Sequence, residues 1–228
     1  MINLTIGDNI KCSLPNEWKE LTITDYAKIV SLIEEYNKSE DLREFDDIKT
    51  LESNLENIKC NREIFKYLTK LDTKTINQID LKQMENMIQI ITELLSNKTT
   101  YVMPGGDKRD RFTFKNKTYL FPYANMSETK FGDYIEAEQV GVAGTKLKSG
   151  RFGSFAEQIA ILCKEDGVEN TEQIIAVKKK LFEKLPMDIC WKFIFFLSKQ
   201  TQILKNNSLQ YSKMVTDQLI GTPTKIGI

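Results

Sequence analysis

The chain has 228 residues, 41% hydrophobic and 28% charged, with 32 basic residues balanced by 32 acidic ones. That length holds one or two domains with a sizeable core, and zero net charge supplies no global field toward nucleic acid or an anionic membrane. Histidine is absent, which removes Ser-His-Asp and Cys-His catalysis and the commonest metal ligand.

In chain order, Ile2, Leu4 and Ile6 alternate with polar residues, Gly7-Asp8-Asn9 supplies turn chemistry, and Ile10, Cys12 and Leu14 resume the alternation. This predicts a β-hairpin. Thr24 is placed to cap a helix with Tyr26, Ile29, Val30 and Ile33 on its apolar face. Residues 38–47 read as a polar surface loop. Leu51, Leu55 and Ile58 mark a second helix, and Ile64, Phe65 and Leu68 a third. Asp80 caps a long fourth helix carrying Leu81, Met84, Met87, Ile88, Ile91 and Leu95.

Pro104-Gly105-Gly106-Asp107 breaks the chain. Residues 111–113 and 117–123 then predict a second hairpin around Lys115-Asn116. Ser127 is expected to cap a helix running to about Val140, and four glycines (Gly141, Gly144, Gly150, Gly153) place a loop over 141–153. Helices follow over 154–163, 170–182 and 187–205, with Pro186 in the first turn of the last. That last helix is apolar nearly all round, as a central, fully buried helix is. Beyond Asn206-Asn207, residues 206–228 read as a separate arm. Leu209, Tyr211, Val215 and Leu219 line a short helix ending at Gly221, ahead of an extended terminus.

The two halves read as one module written twice. Glu20, Asp25 and Tyr26 pair with Glu128, Asp133 and Tyr134 at one constant offset. Residues 63–70 align with 157–164. Ile76, Ile79, Met87, Ile88 and Ile91 fall on Phe182, Leu185, Phe193, Ile194 and Leu197 with that offset nearly restored. Four matches in order are the mark of an internal repeat. The expected organisation is α+β and mostly helical. Two related modules, 1–98 and 99–205, each consist of a small hairpin followed by a helical bundle, and the arm 206–228 completes the chain.

Chemistry is sparse. Cys12, Cys60, Cys163 and Cys190 are scattered without a C-x-x-C pair, so a zinc site would need all four to converge, and a reducing compartment is expected. The glycine loop fails the phosphate-loop pattern, because no Gly-Lys pair follows it. Lys108-Arg109-Asp110-Arg111 is diluted by its acids, and DNA contact is not expected. The paired acids Glu34-Glu35, Asp46-Asp47 and Glu136/Glu138 read as solvated faces, since catalytic carboxylates must converge in an apolar cleft. Residues 1–10 lack the basic start and apolar core of a signal peptide, and no apolar run approaches the ~20 residues that span a bilayer. No cofactor, metal or small-molecule substrate is expected.

The run Phe121-Pro122-Tyr123, then Met126-Ser127-Glu128, then residues 182–189 (Phe-Glu-Lys-Leu-Pro-Met-Asp-Ile) with Phe193 and Phe195-Phe196-Leu197, resembles small assembly proteins of tailed bacteriophages. Tail-assembly chaperones and baseplate-hub assembly proteins are the nearest in kind. The resemblance covers roughly 112–205, with a weaker echo over 2–96. It implies a non-enzymatic protein of the tail, baseplate or neck that binds other phage structural proteins or itself, as a ring or other oligomer. Its place would be the cytoplasm of a bacterial host during assembly, and the virion. A transient chaperone that leaves the mature particle is the alternative within that class. The expected contacts are Lys146, Lys148, Arg151 and Phe152 in the glycine loop, and Tyr211, Val215, Leu219, Ile226 and Ile228 in the arm. Two other classes stay open. An enzyme of carboxylate or lysine chemistry would show a deep pocket onto which two acids or an apolar-buried lysine converge. A nucleic-acid accessory protein would bind DNA in a strongly salt-dependent way.

Overall fold

A computed structural model describes residues 1–6, 10–36, 47–97, 101 and 108–220, with the side chains of all of these except 47–51 and 204–220. Strands β1 (Ile2–Ile6) and β2 (Ile10–Leu14) form the first antiparallel hairpin, Ile2 opposite Leu14. Helices α1 (Ile23–Tyr36), α2 (Asp47–Thr69), α3 (Thr73–Ile76) and α4 (Leu81–Ser96) follow. The second hairpin, β3 (Arg111–Phe114) and β4 (Lys117–Leu120), turns through Lys115 and Asn116 at φ 51° and 63°. Two successive left-handed residues make the turn whose twist matches the strands. Next come α5 (Phe131–Gly144), α6 (Phe155–Leu162), β5 (Lys164–Glu165), α7 (Glu172–Phe182) and α8 (Met187–Ile220). Strand β5 adds to β4, giving the sheet order β3-β4-β5. The architecture is α+β and mostly helical, with two small antiparallel sheets.

Several boundaries differ from the sequence reading, each for a local reason. Thr22, not Thr24, caps α1. The Thr22 hydroxyl accepts from the Asp25 amide (3.1 Å), while the Asp25 carboxylate accepts from the Thr22 amide (3.0 Å) and hydroxyl (2.7 Å). This reciprocal pair satisfies free amides at the helix start. Thr24 instead donates its hydroxyl to the Glu183 carbonyl. The helices expected around Leu55 and Phe65 are one helix, α2, because no Pro or Gly interrupts residues 47–69. Ser127 does not cap α5. Met126 and Glu128 sit at φ 58° and 64°, a conformation a right-handed helix cannot absorb, so α5 begins only at Phe131. Helix α8 runs through Asn206-Asn207 to Ile220. Asparagine costs a helix only ~0.7 kcal/mol or less, so the expected break at 206 does not form, and residues 206–220 continue α8. The expected loop 38–47 lies outside the described residues, apart from Asp47, which opens α2.

The main core draws on both halves of the chain. Ile23, Ile29, Ile64 and Leu94 share one buried cluster with Phe112, Tyr119, Ile159, Phe182, Phe193 and Phe196. A smaller cluster of Leu14, Phe65, Ile76, Met87 and Ile91 fills the space between the first hairpin and the helices that follow it. The two halves are also tied through backbone. Leu185 and Glu183 carbonyls accept from the amides of Ile23 (3.0 Å) and Thr24 (3.1 Å), and the Met187 amide donates to the Leu21 carbonyl (2.8 Å). The stretch 182–189 is therefore a core strap, with Phe182, Leu185 and Met187 fully buried.

Each half carries a hairpin followed by four helices, but the second half inserts strand β5 between α6 and α7, which the first half lacks, and the local roles of paired residues differ. Asp25 completes a capping box on α1, whereas the residue three before Asp133 is Lys130, an N-cap without a side-chain bond. Tyr26 stands in an aromatic cluster with Trp18, Phe152 and Trp191, its ring 4.7 Å from Phe152. Tyr134 instead lies beside Thr201 of α8, with burial pushing its hydroxyl pKa up.

Candidate functional site on the outer face of helix α5

Helix α5 turns its small residues inward. Ala137, Gly141 and Gly144 face the protein and are buried. There the backbone of α5 approaches α6 and the turn before it closely enough for Gln158 Nε2 to donate to the Ala137 carbonyl at 2.9 Å. A Cβ on Gly141 would stand 2.5 Å from Gln158 Nε2, and one on Gly144 would stand 2.4 Å from Ser154 Oγ. The two glycines assigned to a mobile loop are thus in a helix. They are needed for close approach, and of the expected loop only residues 145–149 remain as a turn, because Gly150–Ser154, with Gly153, form a short 3-10 helix leading into α6.

With small residues inside, the large apolar ones are left outside. Phe131, Ile135 and Val142 are 79%, 39% and 62% exposed, and Leu147 just past the helix is 51% exposed. The spacing 131, 135, 142 keeps the three on one stripe of the helix. This is the reverse of the ordinary amphipathic helix, which turns its large apolar residues to the core. Glu136, Gln139 and Lys146 are exposed alongside the stripe. Next to α5, a groove of about 280 Å³ opens among Arg151, Phe155, Ile194, Leu197, Ser198 and Thr201.

The contact residues expected from sequence divide into three groups. Lys146, Lys148 and Arg151 are exposed around the end of α5, and Arg151 also lines the groove. Phe152 is half-buried, packed edge-on against Tyr26 and Phe155, so it holds the body together. Tyr211, Val215 and Leu219 fall on the distal half of α8, where side chains are outside the described residues, as are Ile226 and Ile228 altogether.

A second feature concerns chemistry. Lys178 of α7 is 2% exposed, and its ammonium donates to the Cys163 carbonyl (2.5 Å) and to Asn170 Oδ1 (2.6 Å). Asn170 in turn donates to the Ile161 carbonyl at 2.8 Å. Burial pushes the Lys178 pKa down to about 8 and the neighbouring Cys163 thiol up to about 12. Lys178 borders a groove of about 310 Å³ with Tyr119, Glu165, Ile174, Val177 and Leu181. Both of its acceptors lie on the segment joining α6 to α7, so the side chain pins that segment to α7.

Among the described residues no three His, Cys, Asp or Glu side chains converge as a metal site, and Cys60, Cys163 and Cys190 are buried free thiols. Arg109 of the basic run folds back onto its own hairpin. It donates to the Phe121 carbonyl, lies 3.8 Å from Glu128, and covers the Tyr123 ring. In comparisons with known proteins, no family model, curated protein or solved structure matches this chain.

Proposed function

We propose that this chain is a non-enzymatic assembly or structural protein of a tailed bacteriophage, serving the tail, baseplate or neck through protein–protein contacts. The observation that carries the reading is the inverted α5, which leaves Phe131, Ile135 and Val142 in water. Large apolar residues left exposed along one side of a helix, among polar neighbours, mark a contact surface. Helix α8 supports it, since the helix continues to Ile220, well past the buried Leu197 and Gln200. Among the described residues no helix is long and apolar enough to cross a membrane. The proposal includes the duplication of 1–98 in 99–205, which a hairpin followed by four helices in each half supports and the extra strand β5 opposes, and a host-cytoplasmic place during assembly. Quantitative mass spectrometry of purified particles and of their precursors tests it. Stoichiometric copies in particles mark a structural protein, and presence on precursors alone marks a transient chaperone. Absence from both overturns the proposal.

Lysine chemistry is a second reading, favoured by the lowered pKa of Lys178 beside its groove. It requires the amine to leave the Cys163 and Asn170 acceptors. Selective reductive alkylation of Lys178 by a small aldehyde at pH 8, with other lysines modified more slowly, supports that reading. Protection of Lys178 in the folded protein counts against it.

A further inference from the structure

We infer that the groove between α7 and the β3-β4-β5 sheet binds a small apolar monocarboxylate, whose carboxylate accepts from Lys178 and whose hydrocarbon body lies along α7. The groove holds about 310 Å³, the lower end of the range of small-molecule sites. Ile174, Lys178 and Leu181 share one stripe of α7, at intervals of four and three residues, and with Val177 they line the groove from the helix side. Tyr119 and the ion pair of Lys117 with Glu165 (2.9 Å) line it from the sheet side. The helix face that a core ordinarily closes is partly open here, leaving Val177 68% exposed and Val168, ahead of α7, 37% exposed. The charge selects the ligand. The buried Lys178 ammonium donates to two neutral acceptors, the Cys163 carbonyl and Asn170 Oδ1. An ammonium has three donors, so one remains on a side chain that borders the groove. Among the described residues no carboxylate pairs with it. Glu165 is taken by Lys117, and the following lysine, Lys179, pairs with Glu157 at 2.7 Å. A cation withdrawn from water without a counter-charge attracts an anion with little screening. Apolar walls beside it favour an anion that carries a hydrocarbon body over an inorganic one. Binding of this kind needs no particle partner. It also keeps Lys178 protonated and in place, whereas lysine chemistry requires the amine to leave its acceptors.

Octanoate is the probe, titrated into the full chain at pH 7 while labelled isoleucine, leucine and valine methyls are followed by NMR. The methyls of Ile174, Val177 and Leu181 should shift saturably with a Kd below about 1 mM, while those of Leu14 and Ile76 in the smaller core stay unshifted. Octanol, with the same tail and no charge, and acetate, with the charge and no tail, should each bind at least about tenfold more weakly. Lys178→Met should bind octanoate no better than octanol. Val177→Glu, at an exposed position, should leave the melting temperature unchanged and weaken octanoate at least about tenfold through like charge. If Lys178→Met does not fold, the octanol comparison and Val177→Glu still decide the matter. No saturable shift of the groove methyls below about 10 mM octanoate, octanol binding as tightly as octanoate, or unchanged affinity in folded Lys178→Met or Val177→Glu overturns the inference. None of these results changes whether particles contain the chain, so the contact reading stands or falls separately.

Discussion

Replacing Lys178 by Met separates the cost of burying an ammonium from the value of its hydrogen bonds. At pH 7 the wild-type lysine is charged in both the folded and the unfolded chain. Its pKa is about 8 in the folded protein against an ordinary 10.5. Between those values the native state releases the proton while the unfolded chain keeps it, so the unfolded state binds more protons and stability rises with pH. Each pKa unit is worth about 1.4 kcal/mol, and integrating from pH 7 to pH 10 gives roughly 2.5 kcal/mol. Buried thiols act in the opposite sense. Cys60, Cys163 and Cys190 have raised pKa values and ionise more readily when unfolded, so absolute stability falls as they titrate. The difference between wild type and Lys178→Met cancels them. Urea unfolding of both proteins at pH 7, 8, 9 and 10 should therefore show wild type gaining about 2–3 kcal/mol relative to the variant across that range. Curves that stay parallel would refute the desolvated lysine. The offset at pH 7 is less informative, because relief of desolvation opposes the ~1–3 kcal/mol cost of leaving the Cys163 carbonyl and Asn170 amide oxygen without their donor.

Gly144→Ala should destabilise by about 1–3 kcal/mol, since its Cβ would stand 2.4 Å from Ser154 Oγ. Gly132→Ala on the outer face has open space and should stabilise by about 0.4–1 kcal/mol; chemical denaturation of both measures the contrast. Asp25→Ala removes the α1 capping box and the acceptor of the Tyr67 hydroxyl (2.8 Å), with an expected loss of about 2–3 kcal/mol in the same assay. It should also bring the Tyr67 pKa down from about 12, read by ultraviolet titration. If residues 206–228 serve as a docking arm, deleting them should cost about 1 kcal/mol or less by calorimetry. If the truncated chain melts far lower, residues 206–228 fold onto the body and do not serve as a docking arm.

Both hairpins were legible in the sequence, because period-two alternation around Gly7-Asp8-Asn9 and Lys115-Asn116 is a local signal. The Asp80 cap was equally local, and Asp80 does accept from the Gln83 amide at 2.8 Å. Most of what sequence missed depends on distant partners. The Thr22 cap was local but overlooked, since Asp25 stands three residues after Thr22 whereas Ala27 stands three after Thr24; only the Glu183 acceptor of the Thr24 hydroxyl is distant. Strand β5, only two residues long, exists because β4 offers an edge to it. The α5 site was half legible. Phe131 and Ile135 were placed on a helix, but Gly141 and Gly144 were taken for loop residues. The spacing of Ala137, Gly141 and Gly144, four and then three residues, was the available signal of a small-residue face. Lys178 carried no sequence signal at all, since nothing distinguishes it from Lys179 and Lys180 until Cys163 and Asn170 surround it.

A photo-crosslinking residue placed at position 135, with a control at Lys82 on α4, tests the central claim most directly when expressed in cells that are assembling particles. Position 135 should give a discrete intermolecular adduct, to a second copy of this chain or to another particle protein, that the control lacks. Normal particle assembly with no adduct at 135 would contradict the assignment of α5 as the contact surface.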